Sequence, residues 1–179
     1  MRIIGGRWKG RRLQMPSGRW PVRPTTDFAR EALFNVLDNR FDYASSSALD
    51  LFGGTGIHCF ELASRGCQDI TYVDRNRKSV AYMKRMAEDM EFPLTAVSSD
   101  VLKYIKKADR QWDYIFADPP YDMEGVAELP AIVMEAGILA PDGFFVLEHA
   151  IRYSFDHLSG FFESRKYGQS VFSFFAAGS

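Results

Sequence analysis

Two rhythms of apolar residues divide the chain. Ala29, Leu33, Val36 and Leu37 recur at i, i+4, i+7 and i+8, the spacing of one buried helix face. Thr25 or Thr26 supplies a hydroxyl to cap that helix, which is predicted to run to about Arg40. From Ala48 onward the rhythm changes to short unbroken apolar runs separated by helix-like stretches. Strands are predicted at Ala48–Phe52, Ile70–Asp74, Leu94–Val97, Tyr114–Asp118 and Phe144–Glu148. Helices are predicted at Ile57–Arg65, Arg77–Met90, Val101–Lys107 and about Pro130–Leu139, with a further helical piece near Tyr153–Leu158. Runs that are apolar throughout, rather than alternating, suit a parallel sheet covered by helices on both faces. At the end, Phe161–Lys166 and Ser170–Ala176 flank Tyr167-Gly168-Gln169 and read as an antiparallel hairpin. The fold class is therefore α/β: a Rossmann-like, mostly parallel seven-stranded sheet with an antiparallel C-terminal hairpin.

Residues 1–24 fit neither rhythm. Gly5-Gly6, Gly10, Gly18, Pro16, Pro21 and Pro24 punctuate short apolar pieces, which predicts a short β-hairpin or extended arm ahead of a single domain over 25–179. Charge sharpens the division. Residues 1–40 hold nine Lys/Arg and three acids, whereas the remainder holds 13 basic and 20 acidic residues, although the whole chain is nearly neutral at −1. A basic block beside an acidic body points to a nucleic-acid-binding arm. Its candidates are Arg2, Arg7, Trp8, Lys9, Arg11, Arg12, Arg23, Thr25 and Thr26, with Trp8 able either to stack on an unpaired base or to pack the arm down. With no apolar run near the roughly 20 residues that span a bilayer, no membrane is expected and a cytoplasmic location is. Cys59 and Cys67 form no C-x-x-C pair and His58, His149 and His157 are scattered, so no metal is expected.

The candidate chemistry lies at strand ends. Asp50-Leu51-Phe52-Gly53-Gly54-Thr55-Gly56 closes the first strand and opens a helix, a loop whose glycines allow close backbone approach to a ligand. A dinucleotide fingerprint started at Gly54-Thr55-Gly56 fails at its third glycine, where Cys59 stands. Asp74 ends the second strand, followed by Arg75, and Asp100-Val101 follows the third. In a parallel sheet these ends share one edge, where ligands of such folds bind. Asp74 is placed to accept from two ribose hydroxyls, Asp100 from an adenine amine, and Asp50 to face a ligand ammonium. The fourth strand ends in Asp118-Pro119-Pro120-Tyr121. An exocyclic base amine is a poor nucleophile because its lone pair is delocalised. The Asp118 carboxylate and the Pro119 carbonyl can accept its two hydrogens and aim the nitrogen, the prolines hold the chain extended, and Tyr121 offers a face to the base.

Those motifs resemble the RsmD-like bacterial small-subunit rRNA guanine-N2 methyltransferases along nearly the whole chain. The likeness includes Arg2-Ile3-Ile4-Gly5-Gly6, Gly10-Arg11, Arg23-Pro24-Thr25-Thr26-Asp27, Arg30-Glu31-Ala32-Leu33-Phe34-Asn35 and Ser64-Arg65-Gly66, besides the loop and the tetrapeptide. The resemblance implies a class I methyltransferase fold, S-adenosylmethionine as donor, and a guanine of small-subunit rRNA, free or in an assembling subunit, as acceptor. It also implies that Asp118–Tyr121 is the catalytic motif, Asp50–Gly56 the cofactor loop and Asp74 the ribose-binding acid. Asp74 stands where a glutamate is expected, and Gly53 where a small side chain is usual. Three other readings are weighed against this one. An adenine-N6 or cytosine-N4 methyltransferase acting on DNA or RNA shares the tetrapeptide, but DNA modification enzymes usually need a separate recognition region, which the 24 residues before the first helix hardly supply. A nicotinamide dehydrogenase lacks its third glycine. A catalytically silent RNA-binding or assembly factor would bind RNA without methyl transfer. The nucleotide modified and the oligomeric state are not legible in the sequence.

Overall fold

A computed structural model describes residues 1–14 and 26–177. Seven strands form one sheet: β1 (Ser47–Leu51), β2 (Asp69–Asp74), β3 (Thr95–Ser98), β4 (Trp112–Ala117), β5 (Leu139–Ala150), β6 (Phe161–Tyr167) and β7 (Ser170–Ala176). Their order is β3-β2-β1-β4-β5-β7-β6. The first five pair in parallel; β7 runs antiparallel to β5, and β6 to β7. The helices are α1 (Asp27–Leu37), α2 (Ile57–Ser64), α3 (Arg77–Asp89), α4 (Val101–Lys107) and α5 (Leu129–Glu135).

Strand alternation divides the core between the two faces. Ala48, Ile70, Tyr72, Tyr114, Phe116 and Val146 pack with α1, α2 and α3, whereas Leu49, Leu51, Val73, Ile115, Phe145 and Leu147 pack with α4 and α5. Polar caps fix the helix starts: Thr26 accepts from the Ala29 N–H at 3.2 Å, Asn76 from Lys78 and Ser79, and Asp100 from Lys103 at 3.0 Å. Among the described residues no helix is long and apolar enough to cross a membrane.

Two expected elements differ. The predicted helix to Leu139 stops at Glu135, and β5 starts at Leu139, opposite Trp112, because Ile138 and Leu139 are drawn into the buried core beside β4. Between Tyr153 and Leu158 there is no helix. The backbone makes turns (Tyr153 N–H to Ala150 carbonyl, Leu158 N–H to Phe155 carbonyl) while Phe155 inserts edge-on against His149 and Phe175. Six residues cannot nucleate a helix unless packing favours it, and here packing favours burying one ring.

The basic N-terminal segment is folded against the body. Arg2 and Arg12 form an antiparallel bridge around a 3-10 turn at Gly6–Trp8, and Ile3 and Leu13 are buried in the core. Its anchor is α2: the Ile4 N–H donates to Glu61 Oε1 at 2.8 Å and the Trp8 N–H to Ser64 Oγ at 2.9 Å.

Candidate active site

The loop after β1 is clamped by β2 from both sides of one residue. Asp74 Oδ2 accepts from the Gly54 N–H at 2.8 Å, and the Tyr72 hydroxyl donates to the Gly54 carbonyl at 2.8 Å. Tyr72 also accounts for glycine at 53: a Cβ there would lie 2.2 Å from the tyrosine ring. The loop then turns into α2 at Gly56, whose φ of 73° is one that side-chain-bearing residues rarely adopt. Phe52 nevertheless holds φ 61°. A non-glycine residue in that region costs on the order of 1–3 kcal/mol and persists where surrounding structure enforces it, commonly at sites.

Asp74 is therefore more than a strand-end acid with free oxygens. Its other oxygen accepts from the Asn76 N–H at 2.7 Å, so it shapes two loops and has only second lone pairs left for a ligand. Asp100 likewise caps α4 through Oδ1. Both acids, with Phe52, Arg75 and Val101, line one side of a cleft of about 800 Å³ whose other side is the segment from Asp118 to Glu124. That volume lies in the range of small-molecule sites, roughly 300–1,000 Å³. An inner cavity continues from it, bounded by Asp50, Gly53, Gly54, Thr55, Arg30 and Asp118. Asp50 is 1% exposed and accepts a hydrogen bond from the Cys59 thiol at 3.2 Å, a weak donor. Burial pushes its pKa up to about 7, with the Asp74 charge adding to the shift. An under-satisfied buried carboxyl beside a glycine loop fits the ammonium of an amino-acid-bearing cofactor, and the cleft lined by Asp74 and Asp100 fits its nucleoside.

On the far side of Asp118 lies a third, smaller cavity, lined by Pro119, Pro120, Tyr121, Val126, Glu148 and Tyr153. Asp118 thus borders all three spaces. Burial first, then the nearby Glu148 and Asp50 carboxyls, hold its pKa well above the ordinary carboxylate range. Tyr121 is 44% exposed at the mouth, and its carbonyl accepts from Arg152 Nη2 at 2.8 Å. Among the described residues no group of His, Cys, Asp or Glu is placed to hold a metal ion.

The arm's candidates do not converge on these cavities. Trp8 packs on Phe92, ring centroids 5.7 Å apart, under the Arg7 guanidinium at 4.1 Å, so it anchors the arm. Arg2 approaches Asp27 at 3.6 Å, and Thr26 is spent on capping α1. Lys9, Arg11 and Arg12 are exposed, and Arg23 and Thr25 lie outside the described residues. The sequence reading missed Arg30, Glu61, Glu148 and Arg152. Glu148 carried a signal, as a fifth acid at a strand end, and Arg30 stood in one of the motifs of the resemblance; Glu61 had none, since charged residues on a helix ordinarily face water.

The family described as Conserved hypothetical protein 95 matches residues 1–176. Relatives include YlbH of Bacillus subtilis strain 168, 34% identical over 154 residues (83% of this chain, 82% of that protein). Ribosomal RNA small subunit methyltransferase D of Escherichia coli K12 is 30% identical over 152 residues (84% of this chain, 75% of that protein). Among solved structures, the Thermus thermophilus hypothetical protein TTHA0928 superposes with TM-score 0.84 at 26% identity, covering 98% of this chain and 99% of that one. The T. thermophilus 16S rRNA N2 G1207 methyltransferase (RsmC), solved with AdoMet and guanosine, shares the fold at TM-score 0.68 and 22% identity, over 87% of this chain and 44% of that one. The seven-stranded, mostly parallel sheet with its antiparallel last hairpin is that of a class I methyltransferase fold, and with its match over residues 1–176 the chain belongs to the Conserved hypothetical protein 95 family, that of the small-subunit rRNA methyltransferase D proteins.

Proposed function

We propose that this protein transfers a methyl group from S-adenosylmethionine to the exocyclic N2 amine of a guanine in small-subunit ribosomal RNA. The observation that carries the proposal is the position of Asp118 at the junction of a nucleoside-sized cleft, an inner acidic cavity and an outer cavity walled by Pro119, Pro120 and Tyr121. The names of the relatives supply the rRNA substrate class.

When bound, the cofactor supplies an electrophilic methyl group on a sulfonium. Everything else is positioning. Asp74, Arg75, Asp100 and Val101 hold the nucleoside half in the cleft; Phe52 and Gly53–Gly56 border the passage inward, where Asp50 meets the ammonium. Asp118 and the Pro119 carbonyl accept the two amine hydrogens, and Tyr121, tethered through its carbonyl by Arg152, covers the base. Fixing a nucleophile in line can supply several kcal/mol of barrier reduction without a covalent intermediate. Asp118 accepts most strongly, and can take a proton, when ionised, and its raised pKa makes it a better sink for the proton lost from the methylated nitrogen. Arg7, Lys9, Arg11 and Arg12 would hold phosphates away from the reacting base.

The test is methyl transfer from labelled S-adenosylmethionine to small-subunit rRNA from cells lacking the gene, offered both free and in subunits, followed by nucleoside analysis and mapping. N2-methylguanosine at one position is expected. A label in N6-methyladenosine or N4-methylcytidine, or cofactor binding without transfer to either substrate, would overturn the proposal.

A further inference from the structure

The mechanism gives no part to His58, which is 5% exposed in the wall of the inner cavity that Asp50 and Asp118 border. Its ring is fixed on two sides. It stacks on Phe116, centroids 3.9 Å apart and 9° from parallel, and its Nε2 meets the Tyr114 hydroxyl at 3.0 Å. Burial, then the charges of Arg30 and Arg65, hold its pKa well below the ordinary value, so the ring is neutral and carries a single N–H. Tyr114 decides which nitrogen bears it. That residue is fully buried, and its hydroxyl, kept protonated by burial, has Nε2 as its partner among the described residues. A buried hydroxyl donates to the acceptor it has, so Nε2 accepts and Nδ1 carries the hydrogen. Among the described residues nothing accepts from Nδ1–H. An unmet donor buried in a cavity wall is a cost that an incoming acceptor removes.

The rest of the wall says what that acceptor is. In the proposed function Asp50, in the same wall, meets the cofactor's ammonium. The ammonium shares a carbon with a carboxylate, which is repelled by Asp50 and Asp118 and must settle on donors. Ile57 and His58 begin α2 and line the cavity, so the positive end of that helix faces the same space, and Arg30 adds its charge to the wall. We infer that His58 holds the cofactor's carboxylate, its Nδ1–H donating to one oxygen while Asp50 takes the ammonium. The inference rests on S-adenosylmethionine as the cofactor with its amino-acid end in the inner cavity, and it gives that end a second anchor. Stacked on Phe116 and bonded to Tyr114, the ring is set before the ligand arrives, so little ordering remains to oppose binding.

Decarboxylated S-adenosylmethionine isolates the contact, because it keeps the sulfonium and the ammonium and has hydrogen in place of the carboxylate. By calorimetry the wild-type protein should bind S-adenosylmethionine roughly 10- to 100-fold more tightly than this analogue, the scale of a hydrogen bond to a charged group. Two variants then separate the ring nitrogens. A glutamine amide stands about as far from Cβ as Nε2 does, and an asparagine amide about as far as Nδ1. His58→Gln keeps an acceptor for Tyr114 and should melt near wild type, yet lose about tenfold in affinity for S-adenosylmethionine and little for the analogue. His58→Asn keeps a donor at the Nδ1 position and should retain affinity within about threefold, while melting lower because Tyr114 loses its partner. A folded His58→Gln that binds S-adenosylmethionine as tightly as wild type overturns the inference, and so does an equal loss for both ligands. Equal binding of the two ligands by the wild type overturns it without any variant. A wild type that binds neither ligand would instead overturn the cofactor reading beneath it.

Discussion

Replacing Glu61 by alanine should unfold the N-terminal segment first and destabilise the whole protein. Glu61 is 0% exposed in the middle of α2 and takes charge from two sides: Arg30 Nε donates to Oε1 at 3.2 Å, and Arg65 Nη1 pairs with Oε2. Oε1 also accepts the Ile4 N–H. Arg30, itself 2% exposed, passes the network on, its Nη2 donating to the Arg2 carbonyl at 2.7 Å and to Asp27 at 2.8 Å. Removing the central acid leaves a buried guanidinium that has lost its buried counter-ion and a backbone N–H without its acceptor. Breaking a buried pair from one side typically costs about 3–5 kcal/mol. For a chain of this size each kcal/mol lowers Tm by about 2–4 °C, so the melting temperature should fall by roughly 6–20 °C. Glu61→Gln keeps the shape and one acceptor oxygen and should fall between the two. Circular-dichroism melts give the stability, and limited trypsin digestion reports whether residues 1–14 detach before the body melts. A loss under about 2 °C, with no earlier cleavage in the N-terminal segment, would show that the network contributes nothing net.

Three further outcomes are expected. Asp118→Asn should lower methyl transfer by roughly two to four orders of magnitude with cofactor binding kept, measured by calorimetry and single-turnover assay. Because the folded pKa of Asp118 lies above its unfolded value, ionisation costs stability as pH rises from the ordinary carboxylate range through the raised value; the variant should therefore melt higher than wild type at neutral pH and lose that advantage in acid, and the reverse order would contradict the assignment. Asp74→Ala should weaken S-adenosylmethionine binding at least tenfold and, because Gly54 and Asn76 lose their acceptor, also cost about 1–3 kcal/mol of stability without ligand; unchanged calorimetric affinity would reduce Asp74 to a loop residue. Neutralising Arg7, Lys9, Arg11 and Arg12 together should flatten the salt dependence of RNA affinity by roughly 3 units, at about 0.7 per single-strand phosphate, and an unchanged slope would free the arm of any RNA role.

The sequence by itself determined the sheet and the edge at which chemistry can occur. Apolar runs of β length, helix-spaced stretches between them and the turn between the last two strands are local signals, and local signals survive translation into structure; α4 at Val101–Lys107 and β7 at Ser170–Ala176 fall where the pattern puts them. Strand-end acids were legible for the same reason, since parallel pairing carries every strand end to one side. The tertiary structure alone decided what each acid is used for. Asp74 and Asp100 are partly consumed by backbone N–H groups, because a loop polar group close to a carboxylate takes it before any ligand does. It also decided that Trp8 anchors rather than reaches out, that Gly53 is set by the ring of Tyr72, and that Glu148 stands beside Asp118. Each of these is a contact between residues far apart in sequence, fixed by register and packing, and no periodicity along the chain records which distant partner a side chain meets.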